Sequence, residues 1–363
     1  MSKGSRHAPR KDDHIFYSLQ PDSQFASKTT WLECVELVHN ALPEIDLSQV
    51  SLTSEFLGFK LRAPLLIAGM TGGTNLAKKL NKMFAMAAEE LGVALGVGSQ
   101  RVALEAPEVM ETFSIVREVA VSVPVIANIG ASQLVEGLSS DTMGVLVDMV
   151  DADAIAVHLN PLQEALQIEG EAKYAGLIKQ LELLVKQSPV PVIVKETGAG
   201  VSREVAEILA TMGIYGVDVG GAGGTSFARI EGARALAKGD RMLLRLSEDF
   251  AEWGIPTAAS IIEVRNASGK LAIVATGGLR NGIDAAKALR LGADTCGFAY
   301  PVLRAAFEGG YEGVLNYVRR VMEGLRRALF LTGARNIGEI RRVPVVIGGK
   351  LREWVEFRGL KLP

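Results

Sequence analysis

Cysteine is scarce: Cys34 and Cys296 are the only two in 363 residues, too few for a disulfide framework, which points to a reducing cytoplasm. Charge of one sign is also lacking. The 39 basic and 41 acidic side chains leave a formal net charge of −2, so no global field draws nucleic acid or an anionic membrane. No apolar run approaches the length of a membrane span; residues 63–70 and 343–348 are strand-sized. Residues 1–20 are polar and charged, which excludes a secretory signal. There is no GxxxxGK(S/T) phosphate loop, and no GxGxxG opens a helix after the first strand. HExxH, a CxxC pair and a Ser/His/Asp arrangement are absent too. What remains, 48% hydrophobic and 22% charged, supports a large core in a soluble intracellular protein.

Eight short apolar runs, at 64–70, 93–99, 123–129, 153–158, 191–195, 216–219, 271–275 and 293–298, are nearly free of charge, as parallel strands buried on both faces should be. Helical stretches lie between them. Leu76, Leu80, Met83, Ala87 and Leu91 form one stripe, stopped by Gly92. Val205, Ile208, Leu209 and Met212 form a second, and Ile283, Ala286 and Leu289 a third. Eight strand–helix units in series argue for a (β/α)8 barrel rather than a doubly wound open sheet. The predicted division is an N-terminal extension over 1–60, the barrel over 61–340 and a tail over 341–363, with a long final helix after Tyr311. The sixth unit carries a charged insertion, roughly 229–253, which reads as a lid or an extra surface helix.

Polar and small residues gather at the strand ends, where parallel α/β proteins do chemistry. The fourth end is the richest: His158-Leu159-Asn160-Pro161-Leu162-Gln163-Glu164. Others are Met70-Thr71-Gly72-Gly73, Ser99-Gln100-Arg101, Asn128, Lys195-Glu196, Gly223-Gly224-Thr225-Ser226, Thr276-Gly277-Gly278 and Ala299-Tyr300. Each alone is an ordinary turn; together they suit a phosphate-bearing cofactor in the barrel mouth, and FMN fits that place. Lys195 has two readings, a Schiff base or a cation that stabilises a reduced flavin. Arg10, Lys11 and His14 are either a solvated arm or a diphosphate clamp. Glu164 is either a helix-start acid or a Mg2+ ligand completed by substrate phosphates.

Taken together, the motifs Arg10-Lys11-x-x-His14, Met70-Thr71-Gly72-Gly73, Gly98-Ser99-Gln100-Arg101, Ala127-Asn128-Ile129-Gly130, His158-x-Asn160-Pro161-x-Gln163-Glu164, Val194-Lys195-Glu196, Gly223-Gly224-Thr225-Ser226 and Thr276-Gly277-Gly278 resemble type 2, FMN-dependent isopentenyl-diphosphate isomerases over about residues 6 to 340. The resemblance implies a double-bond isomerase that needs reduced FMN, Mg2+ and NAD(P)H as reductant, and forms homo-oligomers of four or eight copies. It implies FMN binding by Met70, Thr71, Gly72, Ser99, Asn128, Lys195, Thr225, Gly277, Gly278, Ala299 and Tyr300. Substrate contacts are implied for Arg10, Lys11, His14, Ser99, Gln100, Arg101, His158, Asn160 and Gln163, with Glu164 on the metal and Gln163, His158 and Lys195 nearest the chemistry.

Three other readings compete with this resemblance. Another FMN barrel oxidoreductase is disfavoured: the loop Gly220 to Ser226 lacks the cysteine of IMP-dehydrogenase-like enzymes, and no histidine follows His158 to serve as a 2-hydroxy-acid oxidase base. A flavin-free aldolase on Lys195 would be colourless. A non-enzymatic flavin-binding module would ignore diphosphates.

Overall fold

The computed structural model describes residues 4–137 and 139–362, leaving out the side chains of residues 4–10 and Ser140. Eight strands close a parallel barrel: β1 Leu65–Ile67, β2 Ala94–Gly96, β3 Val125–Gly130, β4 Ala154–Leu159, β5 Val192–Glu196, β6 Gly216–Asp218, β7 Ala272–Ala275 and β8 Thr295–Phe298. Each pairs in parallel with its chain neighbours, and β8 returns to β1. All eight runs expected from the sequence are strands, with some ends trimmed. Burial on both faces explains their unbroken apolar character.

Register positions the site. Gly130 pairs with His158, His158 with Lys195, and Lys195 with Asp218. Residues paired across parallel strands point the same way. His158, Lys195 and Asp218 therefore share one layer at the C-terminal rim, while Glu196, the next residue along β5, turns outward.

The opposite end is plugged. A hairpin, Ser54–Phe56 and Phe59–Leu61, turns through Leu57 (φ 54°) and Gly58 (φ 79°), the positive pair a two-residue hairpin needs. Its Phe56 and Leu61 pack against Leu66, Ile126, Ile193 and Val274 of the barrel interior. Burying them holds the N-terminal mouth shut and leaves the other mouth open.

The expected helical stripes are rotated slightly. Helix Asn75–Leu91 ends on Gly92 at φ 63°. Val205, Ile208 and Ile283, however, are exposed; Leu209, Ala286 and Leu289 of the same stripes are buried as expected, joined by Ala206, Ala285 and Ala288. Small side chains there let the helices approach the strands closely.

The insertion of the sixth unit is two helices, Phe227–Ala237 and Arg241–Asp249, set ahead of Thr257–Ala267. The N-terminal segment is a helix, Gly4–Ser18, laid across the mouth. A long helix, Tyr300–Thr332, breaks at Gly310 (φ 58°, ψ −145°). After it, strand Val345–Ile347 pairs with Val35–Leu37, which ties the tail to the extension. Among the described residues no helix is long and apolar enough to cross a membrane.

Candidate active site

A cavity of about 280 Å³ opens at the C-terminal mouth. Most of the residues singled out in the sequence meet there. Lys11, His14, Met70, Ser99, Arg101, Asn128, His158, Asn160, Gln163, Glu164, Lys195, Thr225, Gly277, Gly278, Ala299 and Tyr300 all line it. The Arg10 side chain lies outside the described residues.

Three expected residues stand elsewhere. Gln100 is fully buried behind the cavity: its Nε2 donates to Leu146 O at 2.9 Å, and its Oε1 accepts the Asn128 N–H at 2.9 Å. That side chain braces β3 and does not line the cavity. Thr71 is 1% exposed, with a hydroxyl that has no partner among the described residues. Gly72 sits where a Cβ would enter the Phe113 ring. These two support the first strand end from behind rather than forming its surface.

One wall is the segment after β4. His158 Nδ1 meets Asn128 Oδ1 at 2.8 Å. Asn128 Nδ2 donates to Val97 O at 3.0 Å, so Oδ1 is the acceptor and Nδ1 carries the imidazole proton. Burial, then the Lys195 and Lys11 charges, push His158 down to about 3, so the ring is neutral. Pro161 opens the short helix Pro161–Leu166, which turns Gln163 and Glu164 to the cavity. Asn160 Nδ2 donates to Gln163 Oε1 at 3.1 Å and to Glu164 Oε1 at 3.0 Å. The other Glu164 oxygen accepts the Glu171 N–H at 2.7 Å. No group of three or more His, Cys, Asp or Glu side chains that could hold a metal occurs among the described residues. A cation at Glu164 would need substrate oxygens to complete its shell.

The insertion supplies a carboxylate that the sequence reading missed. Glu231 is 0% exposed. Its Oε1 meets His14 Nε2 at 2.9 Å and Gln163 Nε2 at 3.3 Å, while Oε2 meets Arg234 Nη1 at 2.6 Å. Burial alone would raise its pKa, but His14 and Arg234 hold it below the ordinary carboxylate value. Arg234 also pairs with Glu169 at 3.1 Å and Asp13 at 3.7 Å. The insertion is thus a wall of the pocket that grips the N-terminal helix. Lys11 Nζ, nearer the start of that helix, donates to Ser99 O at 3.1 Å, past the end of β2. Arg101 is held by Glu105 and Glu171 at 2.9 and 3.0 Å.

The opposite wall is glycine. Gly277 and Gly278 have φ of 96° and 80°, and a Cβ on Gly277 would stand 2.0 Å from Gly221 O. The loops after β6 and β7 are pressed backbone to backbone, which leaves amides and not side chains to face a ligand. Arg280 completes this corner: Nη2 donates to Gln24 at 2.8 Å, and its guanidinium lies 5.1 Å from the centre of the Tyr300 ring. Gln24 in turn donates to Thr225 Oγ1 at 3.1 Å. A half-buried guanidinium, glycine amides and the start of helix Tyr300–Thr332 fit the phosphate of a flavin mononucleotide.

Lys195 and Glu196 divide as the strand pleat requires. No Lys195–Glu196 ion pair forms among the described residues; Lys195 Nζ is 3.4 Å from the Glu196 carbonyl. Glu196 Oε2 instead accepts the N–H groups of Thr197 and Gly198 at 2.6 Å, Ala199, and Gly200 at 3.2 Å. Burial pushes this carboxyl up to about 7 despite those donors. Asp218 is raised by burial as well, and holds Gly220 N at 3.3 Å and the Thr276 hydroxyl.

A profile of the FMN-dependent dehydrogenase family matches residues 163–346. The fold is shared with solved mandelate oxidases: a variant with an FMN adduct superposes at a TM-score of 0.64, with 18% identity over 96% of this chain and 100% of that one. Fold and profile define a flavin-dependent barrel enzyme. Within that class the likeness is much closer. The isopentenyl-diphosphate delta-isomerase of Pyrobaculum islandicum is 48% identical over 355 residues, 97% of this chain and 98% of that protein. Those of Thermococcus kodakarensis and Sulfurisphaera tokodaii are 47% and 44% identical, covering 96% and 97% of this chain and 94% and 95% of theirs. The chain belongs to the FMN-dependent, type 2 isopentenyl-diphosphate delta-isomerases.

Proposed function

We propose that the protein interconverts isopentenyl and dimethylallyl diphosphate, with reduced FMN in the barrel mouth and Mg2+ on Glu164. The observation that carries this reading is the shared anchoring of Gln163 and His14 on the buried Glu231 Oε1, at 3.3 and 2.9 Å, which holds the N-terminal helix over the pocket beside Gln163. An oxidase would need a base at a late strand end, and no histidine follows His158.

The reaction adds a proton to the terminal alkene carbon of the substrate and removes one from the carbon next to the oxygen-bearing CH2. The intermediate is a tertiary cation on the substrate. Reduced FMN, when bound, supplies the proton-transfer group at N5 and a negative charge that stabilises this cation; NAD(P)H serves as its reductant. The protein's own groups bind, orient and exclude water. Lys11 and His14, with Arg10 by resemblance, hold the diphosphate; Glu164 shares Mg2+ with it. A polyanion beside Lys11 would offset only the smaller, charge-repulsion part of the His158 depression; burial, the larger part, remains, so His158 meets the substrate as a neutral ring. Lys195 balances charge on the flavin side. Gln163, its NH2 held by Glu231, orients the reacting carbons. Met70, Ser99, Asn128, Thr225, Gly277, Gly278, Ala299 and Tyr300 form the flavin side; Thr71 and Gly72 support it from behind.

The same reading takes residues 1–60 as the extension that delivers the cations, 61–340 as the barrel and 341–363 as the tail. It takes the enzyme to be a cytoplasmic homo-oligomer. The test is an anaerobic assay of purified protein with isopentenyl diphosphate, Mg2+ and reduced FMN. The dimethylallyl isomer should form, and omission of FMN or Mg2+ should abolish it. An absence of product with all components present rejects the proposal.

A further inference from the structure

Tyr174 belongs to no sequence motif recognised above and does not line the cavity, yet it controls a residue that does. It stands in the connection between helices Pro161–Leu166 and Leu177–Gln187. Its hydroxyl accepts the backbone N–H of Asn160 at 3.1 Å and donates to Asn160 Oδ1, also at 3.1 Å. A phenol has one proton, and with the backbone N–H occupying a lone pair that proton goes to Oδ1. Asn160 is 3% exposed, so neither its N–H nor its Oδ1 has ready access to water in place of Tyr174.

The consequence runs inward. With Oδ1 pinned outward, Nδ2 must point to Gln163 Oε1 and Glu164 Oε1, at 3.1 and 3.0 Å. Gln163 then has its carbonyl on Asn160 and its NH2 on Gln167 and Glu231, at 3.4 and 3.3 Å. One hydroxyl thereby sets the direction of two amides and the aim of one carboxylate. Reversing Asn160 would set its carbonyl against the Glu164 carboxylate, so both ends of the amide demand the same orientation.

We infer that Tyr174 is a positioning residue: through Asn160 it fixes the polarity of the Gln163 amide and the aim of the Glu164 carboxylate, and so tunes turnover and Mg2+ use without touching substrate. This rests on the reading of the mouth as the isomerase site. The test compares wild type with Tyr174→Phe, which keeps the ring and removes the hydroxyl. In the FMN-loaded enzyme, kcat should fall about tenfold, the effect of one lost buried hydrogen bond. The Mg2+ concentration for half-maximal rate should rise, while FMN affinity changes less than twofold. In an Asn160→Ala background the same substitution should add less than a twofold loss, because its route is gone. Amide hydrogen exchange over residues 160–164 of the holoenzyme gives a readout independent of turnover, and should quicken at least tenfold in Tyr174→Phe. An inactive wild type would sink the isomerase reading alone, leaving the exchange result to decide the role of Tyr174. Unchanged exchange, unchanged kcat and Mg2+ response, or full additivity with Asn160→Ala would overturn the inference.

Discussion

His14 and Glu231 stand 217 positions apart in the chain and meet at 2.9 Å, Nε2 on Oε1, over the mouth of the barrel. The contact joins the N-terminal helix to the insertion, and Gln163 reaches the same oxygen. Three segments that no short-range pattern connects thus converge on one fully buried carboxylate.

Removing that carboxylate should be costly twice over. Glu231→Ala leaves Arg234, itself 2% exposed, without its closest partner, and breaking a buried pair in this way costs about 3–5 kcal/mol. Glu231→Gln keeps the shape and a hydrogen-bonding group. Thermal unfolding should rank wild type above Glu231→Gln above Glu231→Ala, and kcat/KM of Glu231→Gln should fall by about tenfold or more.

His158 gives the acid limb a signature. Its native pKa is about 3 against an ordinary 6.5. The unfolded chain therefore binds the extra proton first, and the contribution is complete above pH 6.5 and lost as pH falls toward 3, up to about 5 kcal/mol at the limit. His158→Gln should lose less stability than wild type between those values in denaturant titrations. In the free enzyme, kcat/KM should show no His158 inflection near pH 6.5.

Glu196 has the opposite sign. Its native pKa, raised to about 7 against 4.5, means the folded state holds the proton longer. That contribution is full below pH 4.5 and disappears as pH climbs through 7, a change of about 3 kcal/mol. Glu196→Gln retains an oxygen for the amides of residues 197–200. Its stability relative to wild type should improve between pH 4.5 and 7.

The glycine wall can be tested by a single methyl group. Gly277→Ala would place Cβ 2.0 Å from Gly221 O and at a positive φ. Flavin content of the purified protein should drop sharply while far-UV circular dichroism still reports a barrel. Gly144→Ala, in helix Ser140–Asp148 with nothing within 4 Å of the new Cβ, is the control. It should leave flavin content intact and gain about 0.5–1 kcal/mol.

Much of this site is legible in the sequence because strand ends are local. An apolar run followed by Pro161 marks where β4 stops, and His158 to Glu164 follow at once. Orientation is less legible. Ser99, Gln100 and Arg101 are consecutive, yet Gln100 turns into the core to meet the Asn128 N–H, which depends on where β3 passes. Glu231 escapes notice for another reason. It sits in a mixed-charge helix whose buried side is set by the N-terminal helix and the Pro161–Leu166 turn, neither near it in sequence. Val205 and Ile208 mislead similarly, since their apolar spacing is helical but their face is outward.

Solvent deuterium offers the most direct measurement of the central claim. The protein is incubated anaerobically in D2O with reduced FMN, Mg2+ and isopentenyl diphosphate, and the products are followed by NMR with the flavin absorbance recorded in parallel. Dimethylallyl diphosphate carrying deuterium in a methyl group, formed over many turnovers with the flavin still reduced, is the predicted result. Stoichiometric oxidation of the flavin as substrate is consumed, or no isomer at all, would contradict the account.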